Sequence, residues 1–333
     1  MKLNSRRTIL TGLAFLSICA FWQMYDNVIP LILTKTFHMN ETLSGAIMAA
    51  DNILALFLLP FFGARSDKTN TKIGKRMPYI LFGTGCAVLL MNLLPLIDNS
   101  YAVAPSSFKT VSFVIVLGLL LIAMGTYRSP AVALMPDLTP KPFRSRANAI
   151  INLMGAVGGM IYLGVAAGLY SQKRLDAIGL TKADRLDYQP LFLIVSAIMF
   201  VSVGVLFLKI KEPKLTKENQ ELEAQHPEWN LAETDASGHE VLPKSVRKSL
   251  GFLLASIALW FMGYNAVTSA FTKYVNVQWG YDIKAASRCL MIATVGAVVS
   301  YIPVGYISSK IGRKKMILFG VVLLAACFAA AGL

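Results

Sequence analysis

Residues 63–83 read GARSDKTNTKIGKRMPYILFG, and residues 305–320 read GYISSKIGRKKMILFG. Both stretches leave an apolar run through a glycine, cross a short basic loop containing Lys-Ile-Gly (Lys72 to Gly74, Lys310 to Gly312), and re-enter apolar sequence through Ile-Leu-Phe-Gly (Ile80 to Gly83, Ile317 to Gly320). Ser66-Asp67 in the first copy answers to Ser308-Ser309 in the second. Self-similarity of this kind marks one structural unit used twice, and two six-helix halves around a central site would leave such a trace.

The runs on either side of these loops set the class. Of 333 residues, 55% are hydrophobic and 15% charged, and the mean hydropathy is +0.57. That is too apolar for soluble domains. A helix needs about 20 apolar residues to cross the hydrocarbon core, and nine such runs follow one another: 9–33, 43–64, 79–97, 110–135, 147–170, 191–209, 249–272, 285–307 and 316–333. Each is continuously apolar, without the period-two alternation of a barrel strand, so the reading is an all-α integral membrane protein. Pro30, Pro60, Pro130 and Pro303 mark kinks.

Of the 32 lysines and arginines, 22 fall before the first run or in alternate loops from the second run onward. By the positive-inside rule the N-terminus is cytoplasmic and the chain a multi-pass protein of the plasma membrane. The net charge of +14 therefore reflects topology beside anionic lipid and not nucleic-acid binding. The first run is too long for a secretory signal and lacks a small-residue cleavage site, so it reads as an uncleaved helix. Cys19, Cys86, Cys289 and Cys327 lie within apolar runs. His38, His226 and His239 lie in loops without ligand spacing, so neither a metal nor another cofactor is expected.

Residues 210–246 hold 8 of the 18 acidic residues and few large apolar ones. They read as a cytoplasmic linker between an N-terminal six-helix half (1–209) and a partial C-terminal half (247–333), with 216–225 as a short surface helix serving as a solvated spacer. Six runs plus three make nine where the repeat calls for twelve, so the expectation is a sequence lacking the last three helices of its second half.

Gly63, Ser66, Asp67, Gly74, Lys75, Arg76 and Pro78 resemble the cytoplasmic signature of the major facilitator superfamily. With Ser129, Pro130, Ala131, Ala133, Leu134, Asp137, Leu138, Arg144, Arg146, Ala147, Asn148 and Ala149, the chain looks like the sucrose/proton symporter branch near the glycoside/pentoside/hexuronide cation symporters. The resemblance implies the major facilitator fold and secondary active transport, with proton-coupled symport of a sugar or glycoside as the expectation and a proton-coupled drug or metabolite exporter as the alternative. Two positions depart from it. Val132 stands where sucrose transporters carry an arginine after Pro-Ala, and Ala55 and Leu59 replace the paired aspartates of the melibiose-type sodium site. Tyr25-Asp26 resembles half of an intramembrane aspartyl protease site, but Gly-x-Gly-Asp, HExxH, GxSxG and a Walker loop are absent, so no enzyme and no catalytic residue is expected.

Asp26 and Asp51 lie inside apolar runs, where an ionisable group costs about 2.5 to 3.5 kcal/mol on insertion scales. Their distances from the outer run ends put both roughly 10 to 12 Å deep, so they are the candidate proton-coupling pair. Arg128, near the inner end of the fourth run, is a candidate substrate ligand, with an ion pair to Asp137 as the structural reading. Trp22, Gln23, Tyr25, Asn27, Asn52, Trp260, Tyr264 and Asn265 supply aromatic faces and amides of the kind that hold a sugar. Arg65, Asp67, Lys75, Arg76, Asp137 and Arg313 are the expected cytoplasmic gate, since acids and bases at helix ends pair with dipoles and with one another. Gly155, Gly159, Gly164 and Gly168 give the fifth run two GxxxG spacings for close helix packing.

Overall fold

The computed structural model describes residues 3–170, 179, 185–229 and 244–279, and shorter pieces at 233–234, 240–241, 292–293, 295–297, 299–300, 303–308 and 311–332. The chain forms two compact units, Met1–Gln225 and His226–Leu333.

In the first unit, α1 spans Ser5–Leu31 and passes through Pro30 into a π-helical turn, Ile32–Thr36. It is followed by α2 (Glu41–Asp67), α3 (Met77–Val103), α4 (Ser107–Leu138), α5 (Arg144–Leu169), α6 (Gln189–Lys209) and α7 (Glu212–Ala224). Most helices start before the apolar runs because their first turns are polar and capped from outside. Asn4 Oδ1 accepts from Arg7 N at 3.0 Å and Asn40 Oδ1 from Leu43 N at 2.8 Å, each satisfying an orphan donor of a helix start. Among the described residues seven helices are long and apolar enough to cross a membrane, namely α1 to α6 and 246–264 of the second unit.

Close helix contacts organise the first unit. α1 packs on α5, α3 on α4, α6 on α1 and α3, and α2 on α4. A Cβ at Gly155 would stand 2.9 Å from Cys19 Sγ, one at Gly159 would stand 3.2 Å from Gln23 Cγ, and one at Gly158 would overlap the Leu16 backbone. The first GxxxG spacing therefore receives α1, with Gly158 as an additional contact point, whereas a Cβ at Gly164 or Gly168 would meet nothing within 4 Å. Tyr127, fully buried in α4, ties α1 by donating to Ala14 O at 2.9 Å and hydrogen-bonding Ser17. Asn92 of α3 donates to Ser196 Oγ of α6 at 2.6 Å, a polar tie between helices of the kind apolar surroundings favour.

α7 departs from the solvated spacer expected at 216–225. The helix starts earlier and docks on the end of the bundle where α1 and α3 begin, which is the basic end. Glu212, 1% exposed, accepts from Lys75 N at 2.9 Å and Arg76 N at 2.8 Å through Oε1, and from Met77 N at 2.8 Å through Oε2. A side-chain carboxylate from α7 thus caps α3, complementing the positive end of that helix. Gly74 stands at φ +120, and a Cβ there would overlap the Glu212 carboxylate. Further along α7, Glu218 pairs with Arg7 at 3.2 Å, Glu223 with Arg144 at 3.1 Å, and Asn219 donates to Asp137 O at 3.1 Å. An acidic helix has found three basic or donor-bearing helix starts, of α1, α3 and α5, and donates to the carbonyl end of α4, which its composition alone could not locate.

The second unit, taken by itself, contains α8 (Lys244–Trp279), α9 (Arg313–Gly332) and a two-residue antiparallel pairing of Glu233–Thr234 with Glu240–Val241. The run expected at 285–307 lies largely outside the described residues, as do Cys289 and His239.

Because Gly158 meets backbone and not a flexible side chain, Gly158→Ala should force α5 away from α1, whereas Gly164→Ala should be neutral. The unfolding midpoint of each variant in detergent, followed by thiol-reactive fluorescence, distinguishes the two; equal midpoints would contradict the contact.

Candidate functional site

Two polar clusters stand in the first unit, one at membrane depth and one at the basic end. At depth, α1 presents Trp22, Gln23, Tyr25, Asp26 and Asn27 over little more than one turn. Trp22 and Tyr25 pack edge to face at 5.2 Å, and Trp22 Nε1 and Tyr25 OH are buried without a hydrogen-bond partner among the described residues. Asp26 and Asn27 are exposed in this unit, and Asn27 donates to Gln23 O at 2.6 Å.

α2 is held against α4 where glycines allow it. A Cβ at Gly125 would sit 3.2 Å from Leu58, and one at Gly63 would sit 2.9 Å from Ser129 Oγ. Ser129 in turn donates to Leu59 O at 2.8 Å. This contact brings Asp51 and Arg128 to one cleft with Trp22, Leu54, Leu58, Leu121 and Gly125. Arg128 lies over the Trp22 ring, Cζ 5.5 Å from the centroid, a cation–π distance. Asp51 takes Asn52 N at 2.6 Å and Asn52 Nδ2 at 2.8 Å on one oxygen. Among the described residues neither Asp26 nor Asp51 makes a salt bridge. Trp22, Asp51 and Arg128 therefore share one cleft, with Tyr25 packed on Trp22 and Asn52 bonded to Asp51, and the ion pair of Arg128 with Asp137 is not formed.

At the basic end the gate candidates divide. Arg76, 4% exposed, donates from Nε to Asp137 at 2.9 Å and from Nη1 to Gly63 O at 3.3 Å, and it also binds Ser66 and Asp67. Lys75 reaches Asp137 at 3.1 Å. Arg65 is exposed and makes no salt bridge among the described residues; only its carbonyl is used, by Thr69 at 2.9 Å. The network thus joins α2, α3 and α4 through Arg76, without Arg65.

In the second unit Trp260 and Tyr264 are exposed on α8 and stack at 5.4 Å and 16°. Asn265 belongs to the same helix, and Arg313 begins α9; the side chains of both lie outside the described residues.

Sequence reading missed two groups. Asp98 stands one residue beyond the apolar run ending at 97, but α3 continues to Val103 and buries it completely; Arg185 meets it at 2.7 Å and Asn99 at 2.6 Å. Glu212 was hidden within an acidic segment, and the only local hint was the Pro213 that follows it at a helix start.

Residues 11–333 match the sequence profile of the Major Facilitator Superfamily. The chain is a member of that superfamily. Among curated proteins it is 33% identical over 148 residues to the sucrose transport protein SUC3 of Arabidopsis thaliana, covering 40% of this chain and 24% of the relative. It is 28% identical over 177 residues to the sucrose transport protein SUT3 of Oryza sativa subsp. japonica, covering 48% and 34%. To SUT1 of the same rice it is 27% identical over 177 residues, covering 49% and 32%. The alignments span about a quarter to a third of these relatives. As a member of the superfamily the protein crosses the membrane several times.

Breaking a buried ion pair by removing one partner costs about 3 to 5 kcal/mol, so Arg76→Ala should lower the unfolding midpoint far more than Arg65→Ala. Arg76→Lys should not rescue it, because an ammonium cannot span Asp137, Asp67 and Gly63 O at once. Equal midpoints for the Arg76 and Arg65 variants would rule out this division of the basic cluster.

Proposed function

We propose that this protein is a secondary active transporter that carries a sugar or glycoside together with protons. The observation that carries the reading is the cleft that holds Asp51, Arg128 and the Trp22 indole, with Asp26 about one turn beyond Trp22 on α1, two acids at membrane depth that make no salt bridge among the described residues. Two like charges in apolar surroundings do not both ionise cheaply, so such a pair is fitted to share and release a proton. The Trp22 ring offers the flat apolar surface on which a sugar ring stacks, and Trp22 Nε1, Tyr25 OH, Gln23, Asn27, Asn52 and Arg128 offer partners for its hydroxyls. A drug exporter would be served by a more apolar lining than this. The sucrose transport proteins among the plant relatives support the same reading. Ala55 and Leu59, in place of a carboxylate pair on α2, favour protons over sodium.

In this reading residues 1–209 form one half, 210–246 the linker and 247–333 part of the other half, with Trp260, Tyr264 and Asn265 as its contribution to the solute. The basic end faces the cytoplasm of a plasma membrane, as the distribution of lysine and arginine implies. The Arg76 network with Asp67, Lys75 and Asp137, and Arg313 at the repeat-equivalent loop, would hold that end closed and release it as the halves rock.

Uptake of radiolabelled sugars by cells expressing the full protein should collapse on addition of a protonophore and be indifferent to sodium. Uptake driven by sodium and unaffected by the protonophore would overturn the coupling.

Asp26→Asn and Asp51→Asn should each retain exchange of solute between two equal pools while losing accumulation against a gradient, because binding persists when proton linkage does not. Accumulation at wild-type levels by both variants would remove the pair from the mechanism.

A further inference from the structure

We propose that Asn148 and Asn152 of α5 form a polar subsite on the wall of the solute path, between Gln23 and the basic end, that hydrogen-bonds hydroxyl groups of the solute; this rests on the transport reading above. Neither residue is needed to build α5. Asparagine is a poor helix former, and an amide facing lipid lacks the partners that water supplies. Both side chains are nevertheless exposed in the first unit, with Asn152 Nδ2 donating to Asn148 O at 2.9 Å.

Their direction follows from the α1 contact. At 3.6 residues per turn, Asn148, Asn152, Gly155 and Gly159 lie within about 60° of one another around α5. Gly155 and Gly159 meet Cys19 and Gln23. Trp22, beside Gln23 on α1, lies under the Arg128 guanidinium, and Asp26 lies less than a turn beyond Gln23. The asparagines therefore stand on the flank of α5 that borders the polar face of α1, not on the flank that passes Leu16 and Gly12. Between Asn152 and Leu163 this flank carries Gly155, Ala156, Gly159 and the buried Tyr162, so the space above the two amides is opened by the two glycines and Ala156. A neutral, hydroxyl-rich molecule suits such a wall, since an amide both donates and accepts and carries no charge.

The test uses the full protein in native membranes, with Cys19, Cys86, Cys289 and Cys327 replaced by serine or alanine. Asn148→Cys and Asn152→Cys should react with a membrane-impermeant, water-soluble methanethiosulfonate in inside-out vesicles. Ile150→Cys, at the same depth but about 160° around the helix from Asn152, should not. No labelling of the asparagine positions, or equal labelling of all three, overturns the placement. Excess sucrose as the probe should slow labelling of Asn152→Cys. Labelling that sucrose leaves unchanged keeps the placement and overturns the contact with sugar, so the two readings fail separately. If sucrose is transported, Asn152→Ala should raise its half-saturating concentration about threefold to tenfold, the loss of one net hydrogen bond, with Asn152→Gln closer to wild type. An unchanged half-saturating concentration in Asn152→Ala overturns the hydrogen bond.

Discussion

Arg76 is the point through which the ends of several helices are held. Its backbone N–H donates to Glu212 of α7, while its guanidinium meets Asp67 and Ser66 of α2, Gly63 O on the same helix, and Asp137 of α4. A guanidinium buried to this degree is costly unless every donor is used, and here the planar fork reaches several acceptors at once. The site at depth depends on this tie. Asp51 lies on α2 and Arg128 on α4, and their separation is set by how those two helices are pinned at the basic end and spaced by Gly63 and Gly125.

How much of this could be read in advance follows the range of the interaction. The transmembrane helices were legible because twenty apolar residues have one stable form in lipid, and the capped ends Asn4 and Asn40 extended them by only a few residues. The basic loop at 72–76 was legible as a cluster but not as a network. Arg65 and Arg76 look alike in sequence, yet only Arg76, entering α3 beneath Glu212, is turned into the bundle. The same holds for Asp98, which an apolar count leaves at a run edge and the continuing helix buries against Arg185. Glu212 shows the limit most clearly, since an acid in an acidic linker becomes a helix cap through a contact 135 to 137 positions away.

The glycines make a related point about geometry. Four were legible as close-packing signals, but a spacing motif states only that a helix has a flat face, not which neighbour uses it. α1 uses Gly155, Gly158 and Gly159, and their close approach puts Gln23 and Cys19 at the seam between the two helices. A larger residue at any of these positions would move the seam and, with it, the polar face of α1.

That seam gives the polar residues of the first unit an order. Asn148 and Asn152 lie near the basic end, Gln23 at the seam, and Asp26 beyond it. Polar groups at membrane depth are tolerated when they line a water-filled cavity or meet one another. Here few meet one another. Trp22 Nε1 and Tyr25 OH have no partner, and Asp26 makes no salt bridge among the described residues, while the apolar side chains of the same helices are well packed. Polar groups so placed are suited to meeting water or a polar solute. Asp26 and the two asparagines are exposed in the first unit and Gln23 is half-buried, whereas Trp22 and Tyr25 turn their polar atoms inward, and this division is why the path for a hydroxyl-rich solute is proposed along the former.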